Sequence, residues 1–239
     1  MQKERRLLNI LSYIYSNSSP KNAKEISNAL SIPLSTVYRV LRILNDWGLI
    51  TNAYESDGFI AGPTSYGATQ QFQQYSAIGH MFSPFLEALV KESKETAAII
   101  VPTPHHTLCV ALEESPSLLK CSFSLGGKQS LTKGASAKTI LAFQEQNITN
   151  RVLQQLNIDQ QTSLLKELHL ITTRGYGLSI GEIDADVWGV SFPIMKKDEL
   201  LAVLTTMAPY YRAQQYNQQL INLTQKYANQ INNFLSHPY

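Results

Sequence analysis

The sequence has little of what several protein classes require. Its two cysteines, Cys109 and Cys121, form no Cys-x-x-Cys pair, which excludes a disulfide scaffold and predicts free thiols in a reducing compartment. Twelve glycines and ten prolines among 239 residues are too few for a fibrous or a disordered chain. The longest apolar candidate, 200–208, contains two threonines and falls short of the roughly 18 residues that a membrane helix needs. The composition therefore indicates a globular protein of one large or two small domains.

The N-terminus resembles a signal peptide only in part. Lys3, Arg5 and Arg6 precede an apolar stretch, but Asn9 and Ser12 interrupt that stretch and no small-x-small cleavage site follows. We therefore predict a cytoplasmic protein with no membrane partner.

Charged residues make up only 16% of the chain, and they are unevenly distributed. The formal net charge is +2, yet residues 1–45 hold seven cations and two anions, so this end carries +5 and the remainder −3. A basic end on an otherwise near-neutral chain suggests that this end alone binds a polyanion.

Helical periodicity in the basic end predicts three helices and a hairpin. The first helix covers 3–16, and the second opens with a capping box formed by Asn22 and Glu25. A tight turn at 31–33 precedes the third helix, which ends at about Asp46, and two short extended pieces flank a polar tip at 54–57. This order is that of a winged helix-turn-helix. The predicted apolar face of the second helix consists of Ala23, Ile26, Ala29 and Leu30.

The third helix separates its residues into two faces. One face is apolar and should pack on the other helices, whereas the other holds two cations, a hydroxyl and a phenol, which suit phosphates and base edges. A solvated face on any three-helix domain is the alternative, but the tight turn, the wing and the +5 charge favour DNA. The apolar face is Val37, Val40, Leu41 and Leu44, and the exposed face is Ser35, Tyr38, Arg39 and Arg42; Lys24 and the other N-terminal cations should supply steering and backbone contacts.

The rest of the chain reads as a second domain after a connecting helix at 63–80. Strands and helices alternate in clusters, which predicts an α+β fold around a mainly antiparallel sheet. The expected helices are 81–94, 135–145, 147–156, 160–171 and 210–235, and the expected strands are 96–101, 107–112, 118–124, 176–180, 187–195 and 200–208. The domains are therefore predicted as 1–62, with 63–80 connecting them, and 81–239.

The segment 30–50 resembles the recognition helix of the isocitrate lyase regulator (IclR) family of bacterial transcription factors, and 59–63 resembles the family's wing exit. The resemblance implies that Ser35, Thr36, Tyr38 and Arg39 contact DNA. It also implies a homodimer, with a dimer of dimers as an open alternative, that reads an inverted-repeat operator in double-stranded DNA.

Two further segments extend the resemblance to nearly the whole chain. Residues 125–142 resemble the family's Gly-x-x-x-Pro-Leu and small-small-Gly-Lys-x-x-Leu-Ala segments, and 174–194 resemble its Arg-x-x-Gly-Tyr-x-x-Ser-x-x-Glu segment and the strand that follows. The resemblance implies a GAF/PAS-like domain that binds a small-molecule effector, an organic or aromatic acid. The pocket positions carried over are Ala135, Ser136, Ser179, Gly189, Thr205 and Met207.

Departures from the family pattern bear on the effector. Ala137 stands where the family usually has glycine, Ser191-Phe192 where it usually has Ala-Ala, and Met207 where it often has a serine. The added apolar bulk of Met207 predicts an effector larger or more apolar than glyoxylate or pyruvate, or a vestigial pocket. A helix start at 134–137 supports an anion because its N–H groups are free, although an ordinary turn is the alternative.

No other pattern predicts chemistry. The adjacent His105 and His106 suggest a surface loop rather than a metal site, the acidic stretch 182–186 suggests a solvated loop, and both cysteines are read as small core residues. With no P-loop, no GxGxxG and no nucleophile–base pair, we predict no catalytic residues, no metal and no cofactor.

The favoured function is a ligand-responsive DNA-binding regulator, predicted to be a repressor. The alternative is an enzyme or ligand-binding module on the second domain, with the helix-turn-helix used for protein docking.

Overall fold

The computed structural model describes residues 2–17, 19–76, 78, 81–103, 106–121 and 123–236. The chain divides into two compact units, Met1–Ser76 and Ala77–Tyr239. Across the described ranges, none of the helices has the combination of length and apolarity needed to cross a membrane.

The first unit has the predicted order of helices and hairpin. Its elements are α1 (Gln2–Ser16), α2 (Ala23–Leu30), α3 (Leu34–Asp46), β1 (Ile50–Asn52), β2 (Phe59–Ala61) and α4 (Thr64–Tyr75). β1 and β2 pair antiparallel, and the backbone of Lys21 bridges to Phe59, which ties the chain before α2 to the wing. The core gathers apolar side chains from α1, α2, α3 and β1, among them Ile10, Ile26, Leu41, Leu44 and Ile50.

α2 and the turn after it form for local reasons. Oδ1 of Asn22 accepts from the N–H groups of Lys24 and Glu25, and the Glu25 carboxylate accepts from the Asn22 N–H at 2.8 Å, so the predicted capping box is confirmed. Ser31 ends the helix in the left-handed conformation, with φ of 52°. The apolar face was predicted wrongly at Ala29, which is exposed because it lies off the stripe that α2 buries.

A close backbone approach joins the end of α3 to the exit of the wing. The Gly62 N–H donates to the Leu49 carbonyl at 2.9 Å. A Cβ at position 62 would stand 2.2 Å from the carbonyl oxygen of Gly48, so only glycine fits. The side chain of Thr64 then donates to the carbonyl of Trp47 at 3.0 Å, which anchors the start of α4 in the same unit.

The second unit is built on one antiparallel sheet of six strands, and the predicted α+β class is correct. Its order is β5-β4-β3-β8-β7-β6. The strands are β3 (Thr96–Pro102), β4 (Thr107–Glu113), β5 (Lys128–Gln129), β6 (Gly177–Ile180), β7 (Val187–Lys196) and β8 (Glu199–Pro209); the helices are α5 (Ser83–Ser93), α6 (Ala135–Phe143), α7 (Gln146–Leu153), α8 (Ile158–Arg174) and α9 (Tyr210–Ser236).

Each face of the sheet carries its own layer of helices, because successive strand residues point to opposite faces. Ile99, Val190 and Leu204 pack with α5 and α9 in one apolar cluster. Their neighbours Ile100 and Val203 pack on the other face with α6, α7 and α8.

The strand predicted at 118–124 is wrong. The described residues of this stretch form an irregular segment held by side chains rather than by a ladder. The Thr96 hydroxyl donates to the carbonyl of Cys121 at 2.8 Å, and Nη1 of Arg212 donates to the carbonyl of Leu119 at 2.9 Å. The segment instead leads into the two-residue strand β5, which the sequence analysis missed because so short a pairing has no periodicity to read.

Candidate functional site

The first candidate site is the exposed face of α3. Val37, Val40, Leu41 and Leu44 are buried, as the periodicity predicted. This fixes the opposite face outward, where Tyr38 is 55% exposed and Ser35, Arg39 and Arg42 are exposed beside it. Thr36 is half-buried, and Lys24 is exposed in the first turn of α2.

The start of α3 adds a feature that side-chain patterns could not show. Pro33 occupies the cap position and offers no side-chain hydrogen bond, while its carbonyl accepts from Thr36 and Val37. Within the described ranges, the N–H groups of Leu34 and Ser35 therefore have no acceptor. Free N–H groups at a helix start attract phosphate, so this end of α3 is suited to the DNA backbone.

The wing tip is less suited to DNA than the helix. Tyr54 is fully exposed there, but Glu55 and Asp57 stand close in sequence and carry the same sign of charge as phosphate. The cations of the first unit thus lie on α1, α2, α3 and the residues just before α2, and none lies on the tip at 54–57.

The second candidate site is a cavity of about 70 Å³ in the second unit, between the sheet and the start of α6. The six positions predicted to bind the effector all line this one cavity. The lining also includes Cys121, Phe123, Gln129, Gly134, Glu182, Ile183, Asp184 and Val187, which the sequence analysis did not place in the site.

The floor of the cavity is a row of residues across three strands. Ser179 of β6 pairs with Gly189 of β7, which pairs with Met207 of β8. A Cβ on Gly189 would lie 3.4 Å from the Ser179 hydroxyl, so glycine leaves room above the sheet. In the next row the hydroxyls of Ser191 and Thr205 are 2.8 Å apart and hydrogen-bond each other, so the Thr205 hydroxyl is already engaged.

One wall is the start of α6, which no side chain caps. Gly134 takes the cap position with φ of 85°, and the first helical bond runs from the Lys138 N–H to the Gly134 carbonyl at 3.2 Å. In the part of the chain that the structure describes, no group accepts from the N–H groups of Ala135, Ser136 and Ala137. These donors and the Ser136 hydroxyl are suited to a carboxylate.

A buried ion pair holds this helix start in place. The Lys138 side chain is 5% exposed and its ammonium donates to the carboxylates of Glu167 and Glu182. The second oxygen of Glu182 accepts from the Gly134 N–H at 2.9 Å. Two of the segments that resemble the IclR family, 125–142 and 174–194, therefore meet here, and the stretch 182–186 is not simply a solvated loop, because Glu182 is paired.

The roof of the cavity comes from the segment that precedes β5. Cys121 is buried, as predicted for a core residue, but its position lines the cavity. Burial, with the nearby charges of Glu95 and Asp184, raises the pKa of this thiol to about 11, so it is protonated at neutral pH. Oε1 of Gln129 is buried here and accepts no hydrogen bond from any residue in the described ranges.

The remaining predicted features lie elsewhere. Cys109 is buried in the core between the sheet and α6, and burial raises its pKa to about 11. His105 lies outside the described residues, while the His106 N–H donates to the Thr103 hydroxyl at 3.2 Å and the His106 carbonyl accepts from that hydroxyl at 2.7 Å. Within those ranges, no three histidine, cysteine or acidic side chains are grouped as metal ligands would be.

Comparison with protein families agrees with both units. A family model described as "Bacterial transcriptional regulator IclR C-terminal" matches residues 70–233. A second, described as "Sugar-specific transcriptional regulator TrmB", matches residues 13–71, which include the helix-turn-helix.

Two curated relatives are transcriptional regulators by name. The chain is 25% identical over 197 residues to the HTH-type transcriptional regulator BhcR of Paracoccus denitrificans, covering 79% of this chain and 70% of that protein. It is 24% identical over 176 residues to the transcriptional repressor IclR of Escherichia coli, covering 72% of this chain and 60% of that protein.

Solved structures share the fold. The C-terminal domain of a transcriptional regulator from Vibrio cholerae is 31% identical, with a TM-score of 0.60, and the match covers 66% of this chain and 98% of that domain. An IclR homologue from Microbacterium hydrocarbonoxydans, complexed with 4-hydroxybenzoate, is 16% identical, with a TM-score of 0.73 over 98% of this chain and 99% of that one. With the family model matching more than half of its residues, this chain belongs to the IclR family of bacterial transcriptional regulators, which bind DNA.

Proposed function

We propose that the protein is a homodimeric repressor that binds an inverted-repeat operator through α3 and releases it in response to a small organic acid bound in the second unit. The observation that carries the proposal is the convergence of six separate sequence positions on one cavity, at a helix start with free N–H groups. The repressor function is supported by the E. coli relative, which is a repressor by name. Because its partner is the bacterial chromosome, we place the protein in the cytoplasm.

The roles of the DNA-binding residues follow from their positions. Arg39 and Arg42 present guanidinium groups that suit guanine edges or phosphates, and Tyr38 and Ser35 offer hydroxyls beside them. Thr36, at the half-buried start of α3, and Lys24, at the start of α2, are placed for backbone contacts. A dimer would present two such helices to successive major grooves, about 34–36 Å apart.

The effector acts only if it binds one arrangement of the paired DNA-binding units better than another. Its carboxylate is proposed to bind the N–H groups at the start of α6, beside the Ser136 hydroxyl. The cavity, at about 70 Å³, is smaller than the roughly 150 Å³ that holds benzene in an engineered cavity. An aromatic acid would agree with the predicted effector larger or more apolar than pyruvate, and the Microbacterium homologue's 4-hydroxybenzoate also suggests one, but it would require the cavity to enlarge.

We further propose that the second unit is a sensor and not an enzyme. Of the lining residues that the structure describes, Cys121 is the one potential nucleophile of high intrinsic reactivity, and burial raises the pKa of its thiol to about 11. Among the described residues of the lining there is no histidine or lysine to activate it, so little thiolate would form at neutral pH. Deleting 1–62 should remove DNA binding and leave acid binding, whereas an enzyme would retain turnover.

The test begins with selection of bound duplexes from a random DNA library by the purified full chain. Anisotropy titrations of a selected duplex at several salt concentrations then compare Arg39→Ala with the matched control Arg151→Ala, an exposed arginine of α7. We expect Arg39→Ala to weaken binding at least tenfold and, if the side chain contacts phosphate, to lower the salt slope by about 0.9. Equal affinities of the two variants would refute the assignment of α3 as the reading helix.

A further inference from the structure

Gln129 leaves a buried acceptor in the wall of the effector cavity. Among the described residues, two buried side-chain oxygens lack a hydrogen-bond partner, Oε1 of Gln129 and Oε1 of Gln144. Gln129 lines the cavity at the start of α6, whereas Gln144 follows the end of that helix and lines a different cavity. Buried polar groups without partners are rare and costly, so an unpartnered acceptor on a residue that lines a cavity points to a donor supplied by a ligand.

The other polar groups at the start of α6 need an acceptor and not a donor. The N–H groups at the start of α6 are donors, and Ser136, a residue that is 3% exposed, lines the cavity beside them with a hydroxyl that can also donate. The Glu182 carboxylate, a second acceptor of the lining, already accepts from Lys138 and Gly134. One ligand that satisfies both requirements carries a carboxylate for the helix start and a hydrogen-bond donor for Gln129.

We propose that the effector is a short hydroxycarboxylic acid whose hydroxyl donates to Oε1 of Gln129, which makes Gln129 the residue that separates hydroxy acids from oxo acids. The proposal rests on the proposed function, since it names the ligand of the same cavity. The cavity volume of about 70 Å³ favours an aliphatic acid of few carbons.

A hydroxyl fits this position better than an ammonium group. The amide oxygen of Gln129 is neutral, and Glu182 is already paired with Lys138. Asp184, the remaining acidic residue of the lining, is exposed. An ammonium group beside Gln129 would lose its hydration without gaining a buried counter-charge, which disfavours amino acids.

Lactate, alanine and pyruvate provide the test, because they share a carbon skeleton and a carboxylate and differ only at the second carbon. Calorimetric titration of the full chain should show one lactate enantiomer binding at least tenfold more tightly than pyruvate or alanine, the difference expected for one buried acceptor left unpaired. Pyruvate or alanine binding as tightly as lactate would overturn the proposal.

The matched variants are Gln129→Met and Gln144→Met, which remove the same kind of unpartnered oxygen inside and outside this cavity. We expect Gln129→Met to reduce the preference for lactate over pyruvate to within about threefold and Gln144→Met to leave it unchanged. Gln129→Leu replaces Gln129→Met if thermal unfolding shows that the latter is poorly folded. Equal effects of the substitutions at 129 and 144 would overturn the role of Gln129.

A second ligand pair separates this proposal from the proposed function. If 4-hydroxybenzoate or benzoate binds and releases the operator while no three-carbon acid binds, the short hydroxy acid is wrong and the sensor function stands. If none of these acids binds or alters the DNA complex, the hydroxy acid is wrong and the acid-sensor function fails with it.

Discussion

Lys138→Met removes a buried charge on which the start of α6 depends. The Lys138 side chain is 5% exposed, while its partners Glu167 and Glu182 are 45% and 31% exposed. Methionine fills a similar volume but leaves both carboxylates without their cation. The substitution therefore isolates the electrostatic contribution of the cluster from its packing.

The loss of unfolding free energy depends on how much water reaches the two carboxylates that lose their cation. Breaking a buried ion pair by removing one partner costs about 3–5 kcal/mol. Here water reaches both carboxylates, and the Gly134 N–H still donates to Glu182 at 2.9 Å, so we expect a loss of about 2–3 kcal/mol. In a unit of this size that loss corresponds to a fall in Tm of about 5–10 °C.

Urea and thermal unfolding of the full chain provide the assay, and Lys226→Met provides the control. Lys226 pairs with Glu92 at 2.8 Å, but both side chains are nearly half-exposed, so this pair should contribute little. A loss for Lys138→Met no greater than that for Lys226→Met would refute the reasoning. Lys138→Met combined with Glu182→Gln should recover part of the loss, because it removes one orphaned carboxylate.

Two further predictions concern glycine and the thiols. Gly189→Ala should weaken acid binding in a titration without unfolding the protein, because its Cβ would stand 3.4 Å from the Ser179 hydroxyl. The control is Gly67→Ala, at an open position on α4. It should leave acid binding unchanged and raise the unfolding free energy by about 0.5–1 kcal/mol. Burial raises the pKa of Cys109 and Cys121 from 9.0 to about 11, so the folded chain retains protons that the unfolded chain releases. Their contribution to stability should be complete below about pH 9 and decline toward pH 11, and the double alanine variant should show a flatter profile in urea unfolding.

Either prediction has a clear contrary result. Unchanged acid binding by Gly189→Ala would show that the row of residues on the sheet is not part of the binding site. A pH profile of the double variant that parallels the wild-type profile would show that the thiols do not titrate differently in the two states.

Local patterns in the sequence predicted most of the fold. The faces of α3 and the capping box at Asn22 depend on residues three or four positions apart, and the structure confirms them. The strand predicted at 118–124 is wrong because the segment is held by hydrogen bonds to the side chains of Thr96 and Arg212 and not by a neighbouring strand. These partners are distant in sequence.

The candidate cavity was also predictable only in part, because contacts between separate elements cannot be read from one segment. The resemblance identified six positions that the structure brings together, and their binding of a ligand stays a prediction. The pairing of Lys138 with Glu182 and the open acceptor of Gln129 could not be predicted, because each depends on how separate elements pack. Periodicity within a segment carries no information about such contacts.

Strand β7, which lies between β8 and the edge strand β6, contributes residues both to the cavity and to the helical layer on the opposite face. Gly189 lines the cavity, whereas its neighbours Trp188 and Val190 pack in the cluster that contains α5 and α9. β8, the next strand of the sheet, ends at Pro209, and α9 begins at Tyr210 without an intervening loop. A ligand that displaces the main chain of β7 would therefore move the support of α9 in the same step, so the signal would need no hinge and no relay of side chains to leave the cavity.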